Sequence, residues 1–514
     1  MKINDAVNRA RCLKLLMLVL TGQLAVAPMD AQWSRSPGFD SGDMAQDLTE
    51  ALTFHKYPTY SQYLEMMQGF ADGYPEICRL DTIGITDEGR LVLVLKISDN
   101  VNLEEKEAAF LYSSTMHGDE VVGYVLMLRL IGLLLDGYGT DSEITNLVDN
   151  LEIWINPLAN PDGSYSGNDG ESLELAVRGN GRGVDLNRDF PDFTKGETDD
   201  ITGRETETRT MMVFLREKRF TLSANMHAGV EVVNYPWDAV QERNADDDWY
   251  RFISREYADE ARAVDPLYMT DLSVDGTING WDWYEALGTR QDYMNYYLGG
   301  REVTLELSED YLAPSADLEY YWNVNHRSLL NYMTQCLYGI RGTVTDMDTG
   351  DPVRAQIFVM DHDSVYSVIS SGADYGDYYR LIKEGQFDLI ASAPGYFNDT
   401  LYAEVTDFQA TDLDIQLKHY ELSVPLPEAP GFRIYPNPAI NNFIVEPENI
   451  RGGDLEVWIL AMDGRMVYHT IARYNGSGIE IPTRQMEPGI YLVRCSCGSV
   501  SEVHRVMVIN SAKH

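Results

Sequence analysis

Basic residues are scarce in this chain of 514 residues, and their scarcity excludes one large class of partners. There are 40 Lys and Arg against 81 Asp and Glu, which gives a formal net charge of -41 at pH 7. Binding of nucleic acid requires a basic face, so we expect no nucleic-acid partner. The acidic residues are spread along the chain, which is typical of a solvated surface. The same charge would also attract cationic substrates.

Cysteine is also rare, and its spacing excludes a cysteine-rich metal site. The chain has 5 cysteines, and none shows the spacing of a zinc knuckle. A chain of this length buries large apolar cores, which do not need disulfides. Because 514 residues are too many for one ordinary core, we expect two to four domains. The hydrophobic fraction of 44% indicates that these domains are globular. We make no prediction of cysteine pairing or of oligomeric state.

Long apolar runs are missing, which excludes a transmembrane helix. The longest candidate near the N-terminus, residues 13–20, follows a basic segment and is too short to span a bilayer. Small residues that suit signal cleavage follow it. We therefore predict a signal peptide over residues 1–31, a polar leader over 32–53, and export of the protein.

Apolar runs alternate with helical periodicity over residues 54–337, which predicts an α/β domain. Strands alternating with helices are typical of a parallel or mixed sheet covered by helices. The predicted strands cover residues 91–97, 108–113, 151–155, 220–225 and 301–307. The predicted helices cover residues 60–71, 121–135, 205–218 and 325–337.

After residue 337 the pattern changes to short strands separated by Gly, Asp and Pro turns. Residues 338–418 are predicted to form a small β-sandwich. Residues 419–431 contain three prolines and are predicted to form a stiff linker. Residues 432–514 are predicted to form a second small β-rich domain. His362 and Asp363 are interpreted as solvated loop residues without a catalytic role.

Side chains that suit a metal peptidase lie in separate segments of the α/β domain. His117 and Glu120 are three residues apart between a predicted strand and a predicted helix, and His227 follows another strand. A catalytic zinc needs three protein ligands and an open position for water. Glu306 ends an apolar strand, where burial is costly without a partner. Each feature alone is more typical of a structural residue.

Asn187 and Arg188 form a second candidate site, this one for a carboxylate. The arginine offers a bidentate fork, and the neighbouring asparagine adds a neutral donor. Both lie in the run Arg182–Pro191. The sequence therefore predicts a carboxylate-binding position in this segment.

Taken together, these segments resemble the zinc metallocarboxypeptidases (funnelins), and most closely their N/E or regulatory subfamily. The motifs that carry the resemblance are the runs 117–123, 185–191 and 227–236. The resemblance covers about residues 54–418, because this subfamily has a transthyretin-like β-sandwich after its catalytic domain. It implies an α/β fold with a carboxypeptidase-type mixed β-sheet flanked by helices, followed here by two small β-sandwich domains.

The resemblance also implies the roles of the metal ligands and of the reacting groups. His117, Glu120 and His227 match the ligands of a single Zn²⁺. Glu306 matches the general base. Arg178 matches the arginine that polarises the scissile carbonyl.

Three further residues match the family's substrate-binding positions. Asn187 and Arg188 correspond to the pair that holds the free C-terminal carboxylate, and Tyr284 corresponds to the mobile tyrosine. The resemblance therefore implies an exopeptidase that acts on the C-termini of peptides or proteins.

Two residues match the specificity pocket. Asp238 corresponds to the acidic determinant for basic side chains, and Gln291 to a residue at the base of the pocket. This predicts release of C-terminal Lys or Arg, because a buried carboxylate favours a cation. The alternative is that Asp238 is a surface residue of an acidic loop. One departure bears on the prediction: Thr289 and Arg290 stand where the subfamily has Gly and Met, and Arg290 would reshape the pocket or repel basic residues.

Residues 432–514 resemble the C-terminal sorting domain of type IX secretion systems. The motifs that carry the resemblance are Phe432–Pro438, Leu460–Arg465 and Pro488–Val493. The resemblance implies the type IX machinery as a partner and an extracellular or cell-surface location. A simple adhesive β-sandwich is the alternative.

The leading hypothesis is thus an exported zinc carboxypeptidase that removes basic residues. Two alternatives remain open at this point. One is the same fold with another exopeptidase specificity or with amidohydrolase activity, and the other is an inactive surface-binding protein.

Overall fold

A mixed β-sheet of eight strands forms the centre of the α/β domain. The computed structural model describes residues 38–509, except 168–169, 365, 421–430, 451, 463, 475, 477 and 499. The strands are β1 Cys78–Ile85, β2 Leu91–Ile97, β3 Ala108–Ser114, β4 Leu151–Asn156, β5 Leu222–His227, β6 Val230–Tyr235, β7 Thr277–Asn279 and β8 Arg301–Ser308. Their order in the sheet is β1-β2-β4-β3-β5-β8-β6-β7. The four central strands β4, β3, β5 and β8 run parallel to one another, whereas β2 pairs antiparallel with β4, and β6 pairs antiparallel with β8.

Helices cover both faces of this sheet, as the strand sequences require. Consecutive side chains of a strand point to opposite faces, and β2 is apolar on both: Leu93 and Leu95 belong to one core, and Val94 to the other. The α-helices are Leu48–Ala51, Tyr60–Gly73, Val122–Gly137, Ser142–Val148, Pro161–Ser164, Thr206–Lys218, Asp247–Val264, Gly280–Trp283, Arg290–Tyr293 and Leu318–Thr334. The 3₁₀ turns are Ser41–Asp43, Leu186–Arg188, Phe193–Lys195, Ser315–Asp317 and Gln335–Leu337, and Met294–Leu298 is a π-helical turn. The predicted mixed sheet flanked by helices is confirmed.

No single helix in the described part of the chain is both long enough and apolar enough to cross a membrane. The helices Val122–Gly137 and Ser142–Val148 have that length and apolar character only as a pair, and they are bent by 103° at the break between them.

The segment predicted as a polar leader differs from that prediction over its described part. Met44, Ala45 and Ala51 are buried in the larger core of the α/β domain. Asp43 accepts hydrogen bonds from the backbone N and the Oγ of Ser315, both at 2.7 Å. Residues 38–53 therefore pack as part of the domain. The predicted signal peptide lies outside the described residues.

Two small sheets follow the α/β domain and enclose a core of their own. The strands are β9 Gly339–Asp346, β10 Gln356–Val359, β11 Ile369–Ser370, β12 Asp377–Arg380, β13 Gly385–Ser392, β14 Asp399–Val405, β15 Ala410–Asp412 and β16 Ile415–Leu417. One sheet has the order β11-β10-β13-β14, and the other has the order β12-β9-β15, with β16 also paired to β9. Their inward-facing apolar side chains form a separate core that includes Ile340, Ile357, Leu389 and Ile415.

A buried ion cluster joins these small sheets to the α/β domain. Asp246, at the start of the helix Asp247–Val264, accepts hydrogen bonds from Arg301 at 2.8 Å, Arg380 at 2.7 Å and His362 at 2.9 Å. Arg380 also pairs with Asp363, whose side chain is completely buried. The interpretation of His362 and Asp363 as solvated loop residues is therefore wrong. It failed because the partner of His362 is 116 residues away, and because Asp363 pairs with Arg380, which lies on β12.

The last described part of the chain also has its own core. Its strands are β17 Gly431–Tyr435, β18 Asn442–Glu448, β19 Gly453–Ala461, β20 Met466–Tyr474, β21 Ile479–Pro482, β22 Gly489–Cys497 and β23 Val500–Val508. They form two sheets with the orders β17-β18-β21 and β20-β19-β22-β23. Buried residues such as Phe443, Val457, Ile481 and Val493 fill the space between them.

Glu107 provides a test of how charge limits the stability of the fold. Oxygen atoms of Glu107, Asp99 and Glu105 lie within 4.8 Å of one another. Burial, followed by repulsion from Asp99, Glu105 and Glu152, raises the pKa of Glu107 to about 8. Since this pKa lies above the unfolded value of about 4.3, the folded protein binds more protons between these pH values. Its stability should therefore fall as the pH rises through this window.

We expect Glu107→Gln to stabilise the protein by about 1 kcal/mol at pH 8.5 and by nothing measurable at pH 4. The amide removes the ionisation penalty, and the partial exposure of the site keeps the gain small. Thermal unfolding at the two pH values measures the effect, with Glu104→Gln at an exposed neighbouring position as the control. Equal shifts at both pH values would contradict this account.

Candidate active site

The three predicted metal ligands converge at the carboxyl ends of β3 and β5. His117 and Glu120 lie in the loop between β3 and the helix Val122–Gly137, and His227 is the last residue of β5. Their ligand atoms lie within 4.8 Å of one another, and all three residues are buried. The carboxyl ends of parallel strands are where sheets of this class bind ligands. The fold thus brings together residues that are 110 positions apart.

A glycine allows the loop after β3 to turn the two ligands inward. A Cβ atom on Gly118 would lie 2.3 Å from the carbonyl carbon of Gly163 and 2.4 Å from the backbone N of Ser164. Because no side chain fits at that distance, position 118 requires glycine for this close approach. The loop is held against the helix Pro161–Ser164, and the side chains on either side of Gly118 are fixed in place.

The distances within this group fit a zinc ion. His227 Nδ1 lies 3.0 Å from His117 Nδ1 and 2.8 Å from Glu120 Oε2. His117 Nδ1 lies 2.8 Å from Glu120 Oε1, and its Nε2 lies 2.9 Å from Asp185 Oδ1. With the proton on Nε2, the lone pair of Nδ1 faces the other two ligands. Such a concentration of lone pairs calls for a cation, and two histidines with one carboxylate form a known zinc ligand set.

Neighbouring groups keep Glu120 in the ionised form that binds metal. Arg178 Nη1 donates to Glu120 Oε1 at 3.0 Å, and the backbone N of Ala228 donates to Oε2 at 3.0 Å. Burial raises the pKa of Glu120, but His117 and His227 outweigh it and hold that pKa well below its usual range. Metal binding requires a deprotonated ligand.

Asp185 has a positioning role that the sequence did not reveal. It accepts from His117 Nε2 through Oδ1, and from Arg178 Nε at 2.9 Å through Oδ2. A carboxylate behind a ligating histidine fixes the ring orientation. Asp185 also accepts from the backbone N of Asn187 at 2.9 Å, which starts the turn Leu186–Arg188. Its place at the beginning of the run 185–191, next to the residues predicted to bind a carboxylate, was the only sequence signal.

Glu306 lies on β8, directly beside the metal-ligand group. In the parallel register of β5 and β8 it stands opposite His227. Its side chain is 8% exposed, and its Oε2 has no hydrogen-bond partner among the described residues. Burial, followed by repulsion from Glu120, raises the pKa of Glu306 well above its usual range. A buried carboxylate without a partner suits a group that exchanges a proton with a nearby water.

A narrow cavity beside Glu306 gathers most of the predicted substrate-binding residues. Its lining consists of Asn187, Arg188, Asn234, Asp238, Gly280, Trp283, Tyr284, Ala286, Thr289, Thr304 and Glu306. Arg188 lies at the opening, where its guanidinium is 5.9 Å from the ring centre of Tyr284 and its Nη1 donates to the backbone O of Asn187. Tyr284 is 41% exposed, which leaves it room to move over a bound residue.

Asp238 forms a buried acidic wall of this cavity. It accepts hydrogen bonds from Thr289 Oγ1 at 2.8 Å, Gln291 Nε2 at 2.9 Å and Asn234 Nδ2 at 3.2 Å. Burial raises the pKa of Asp238 to about 6, and the hydrogen bonds from Thr289 and Asn234 oppose that shift. Since Asp238 is only 5% exposed, the alternative of a surface residue in an acidic loop is wrong.

Gln291 and Arg290 are placed differently from the sequence expectation. Gln291 is buried behind Asp238 and does not line the cavity, so it reaches the pocket only through its hydrogen bond to that carboxylate. Arg290 does not line the cavity either. Its side chain is completely buried and forms an ion pair with Glu302 at 3.0 Å. The sequence missed the contributions of Thr304 and Glu302, and it gave Thr289 only as a departure from the subfamily, not as a donor to Asp238.

Comparison with known proteins identifies two parts of the chain. Residues 63–328 match the zinc carboxypeptidase family, and residues 433–510 match the secretion system C-terminal sorting domain. Carboxypeptidase SOL1 of Arabidopsis thaliana is 34% identical over 352 residues, which cover 67% of this chain and 69% of that protein. Human carboxypeptidase D is 35% identical over 356 residues, which cover 66% of this chain and 25% of that protein.

The mouse carboxypeptidase N catalytic chain is 32% identical over 417 residues, which cover 74% of this chain and 90% of that protein. The match to carboxypeptidase D thus spans only a quarter of that longer protein, whereas those to carboxypeptidase SOL1 and the carboxypeptidase N catalytic chain span most of their lengths. The family match over residues 63–328 contains all three members of the zinc-binding group, His117, Glu120 and His227. The chain therefore belongs to the zinc carboxypeptidase family.

Proposed function

We propose that this protein is an exported metallocarboxypeptidase that releases C-terminal Lys or Arg from peptides or proteins. The observation that carries the proposal is the buried carboxylate of Asp238 in a cavity that opens at Arg188. A basic side chain in this cavity would meet Asp238, while the terminal carboxylate of the same residue would meet Arg188. A buried carboxylate rewards a cation and penalises an apolar side chain.

Binding of the chain end is assigned to three residues at the opening of the cavity. Arg188 offers a bidentate fork, and Asn187 lies next to it with an amide that also accepts from the backbone N of Arg290 at 2.9 Å. The hydroxyl oxygen of Tyr284 lies 3.5 Å from Arg188 Nη2. Only a chain terminus carries the carboxylate that these donors require, which makes the reaction an exopeptidase reaction.

The chemical step is assigned to Glu306 and Arg178. Zinc, when bound by His117, Glu120 and His227, supplies a Lewis acid and lowers the pKa of a bound water. Glu306 accepts the proton of the attacking water and delivers it to the nitrogen of the leaving amine as the C–N bond breaks. The products are the free C-terminal amino acid and a peptide shortened by one residue.

We assign to Arg178 the stabilisation of the negative charge that develops on the scissile carbonyl oxygen. Its guanidinium is fixed by Asp185 and donates to the metal-ligand carboxylate of Glu120, so it stands beside the reacting bond. A fixed donor of this kind stabilises charge in a transition state without reorganisation. Burial disfavours the charged form of Arg178, but Glu120 and Asp185 raise its pKa above the usual range.

Export is the second part of the proposal. The sorting domain at residues 433–510 supports delivery by a type IX secretion system to the extracellular space or the cell surface. The predicted signal peptide at residues 1–31 would serve the first membrane crossing. We assign residues 338–418 to a transthyretin-like domain that supports the catalytic domain over residues 54–337.

Asp238→Asn tests the specificity. We expect this change to lower kcat/KM for peptides with C-terminal Lys or Arg by about 100-fold, because the cation would lose its buried counter-charge. Peptides with C-terminal Phe should change by less than about threefold. The measurement is the release of the last residue from three otherwise identical peptides, with and without a zinc chelator. Asp259→Asn on the exposed face of the helix Asp247–Val264 serves as the matched control.

The three peptides also separate the alternatives. Chelator-sensitive release of Lys and Arg that depends on Asp238 supports the whole proposal. Release of Phe in preference to the basic residues would keep the enzyme class and refute the basic specificity. A zinc-loaded protein that releases nothing would favour the amidohydrolase or the binding-protein alternative.

A further inference from the structure

Polar side chains follow one another along one face of β5 and β8, from the cavity into the interior beneath it. Alternate residues of a strand share a face, so Glu302, Thr304 and Glu306 point the same way. Thr304 lines the cavity and Glu306 stands at its reactive end, but Glu302 does not line it. Glu302 lies two residues beyond Thr304, which is about 7 Å along the strand. The cavity therefore ends above a layer that contains a second carboxylate.

Arg290 already forms an ion pair with this deeper carboxylate, Glu302. Its Nη2 donates to Glu302 Oε2 at 3.0 Å, and both side chains are completely buried. Glu302 also accepts from Ser223 Oγ at 2.7 Å and from Asn225 Nδ2 at 3.0 Å. The same Nδ2 lies 3.1 Å from the Oγ1 of Thr304. The side-chain amide of Asn225 thus lies between Thr304 in the cavity wall and the ion pair of Arg290 with Glu302.

The backbone around Thr289 and Arg290, at the edge of the cavity, directs the side chain of Arg290 towards Glu302. Thr289 lines the cavity and caps the short helix Arg290–Tyr293 by accepting from the backbone N of Asp292 at 3.3 Å. The backbone N of Arg290 donates to Asn187 in the carboxylate-binding turn. These two contacts anchor the start of the helix beside the cavity, while the side chain of Arg290 runs beneath it.

Two carboxylates line the cavity among the described residues: Asp238 on its side wall and Glu306 at its reactive end. Glu302 is neutralised by Arg290. Asp292 accepts from the backbone N of Asp238 at 3.0 Å and of Ala239 at 2.9 Å, and it does not line the cavity. A guanidinium that reached past Thr304 would meet a position that Arg290 already fills and a carboxylate that Arg290 already neutralises.

From this arrangement we infer that Arg290 determines specificity: its guanidinium fills the deep position that a substrate arginine would use, so the pocket prefers C-terminal lysine to arginine. The inference rests on the proposed basic specificity and refines it. Lysine carries a compact ammonium that Asp238 can bind from the side wall, whereas arginine carries a longer, planar fork with five donors. Arg290 blocks the deep position against arginine while Asp238 attracts lysine, and specificity of this kind combines exclusion of one side chain with attraction of another.

The test compares kcat/KM for two matched peptides that end in Lys and in Arg. We expect the unmodified protein to favour Lys by about tenfold, within the range set by small changes of fit in a pocket. Arg290→Met keeps an unbranched side chain of similar length without its charge. We expect this variant to lose the Lys-over-Arg preference, which is about a tenfold change in the ratio, because Glu302 becomes available to a substrate guanidinium.

A second variant guards against misfolding caused by the unpaired Glu302. In Arg290→Met/Glu302→Gln no buried charge is left alone, and the ratio is still expected to fall by about threefold because the deep position is open. Arg129→Met, which removes an ion pair with Glu319 on the partly exposed face of two helices, is the matched control and should leave the ratio unchanged. Zinc content and melting temperature are measured for each variant.

Two results would overturn the inference, and they are distinguishable. An unchanged Lys-to-Arg ratio in both Arg290 variants, with both peptides still preferred over a Phe peptide, refutes the role of Arg290 and leaves the basic specificity intact. Preference of the unmodified protein for Phe over both basic peptides refutes the basic specificity, and the role of Arg290 with it.

Discussion

Glu306→Gln is expected to lower kcat by about 1,000-fold without loss of zinc. The amide has nearly the same size as the carboxylate but cannot accept the proton of the attacking water, and general base catalysis contributes roughly 10²–10⁴-fold. Glu306 is not a member of the buried metal-ligand group, so the metal site should remain intact. Release of C-terminal Lys under saturating peptide measures kcat, and metal analysis of the same sample measures zinc.

Glu65→Gln, at an exposed position of the helix Tyr60–Gly73, is the control and should be indistinguishable from the unmodified protein. A Glu306→Gln variant that keeps more than about a tenth of the activity would assign the base to another residue. Loss of zinc together with activity would instead give Glu306 a structural role at the metal.

The central strands were predictable because they are apolar on both faces. The runs predicted at 91–97, 108–113 and 151–155 are confirmed as β2, β3 and β4 to within one residue at each end. Strands buried on both sides of a sheet read as continuous apolar runs. The helix Val122–Gly137, which is buried over most of its length, was predictable for the same reason.

The elements at the margins of the domain were not predicted, because their sequences are mixed. β1, Cys78–Ile85, is an edge strand in which only Cys78 is fully buried, so it lacks a clear apolar run. The helix Asp247–Val264 has acidic and basic residues on its outer face and aromatic residues on its inner face. The last helix begins at Leu318 rather than at residue 325, because its first turns bury aromatic side chains against the core.

The candidate site was predictable in its parts, but its assembly depends on the order of the strands. His227 and Glu306 each follow or end an apolar run, and nothing in either run says that β5 and β8 are neighbours. The same holds for the layer of side chains beneath the cavity. Arg290 and Glu302 are 12 residues apart and belong to a short helix and a strand, so only the fold reveals that they form an ion pair beside Thr304.

The buried ion cluster around Asp246 was the least predictable feature of the fold. Its disruption is expected to have the second large effect, which is on the free energy of unfolding. Its carboxylate is completely buried between Arg301, at the start of β8, and Arg380, on β12. Burial raises the pKa of Asp246, but Arg380 and Arg301 outweigh it and hold that pKa well below its usual range. Two guanidinium groups already balance Asp246 and Asp363, so the cluster is an ion network rather than a metal site.

Asp246→Asn is expected to destabilise the protein by about 3–5 kcal/mol. The change leaves Arg301 and Arg380 buried with one carboxylate fewer, and removal of one partner from a buried ion network has a cost of this size. The loss corresponds to a fall in melting temperature of roughly 10 °C. Thermal unfolding followed by circular dichroism measures it, and peptide cleavage after a heat step reports on the catalytic domain itself.

Asp412→Asn is the matched control within the small sheets, because it breaks a pair with Arg341 in which the side chains are 38% and 76% exposed. Exposed pairs contribute about 0–1 kcal/mol, so its melting temperature should stay close to that of the unmodified protein. Addition of Arg380→Met to Asp246→Asn removes the charge left unpaired and should recover part of the lost stability. A single Asp246→Asn variant that melts within about 2 °C of the unmodified protein would show that the two domains are held together by their apolar contacts instead.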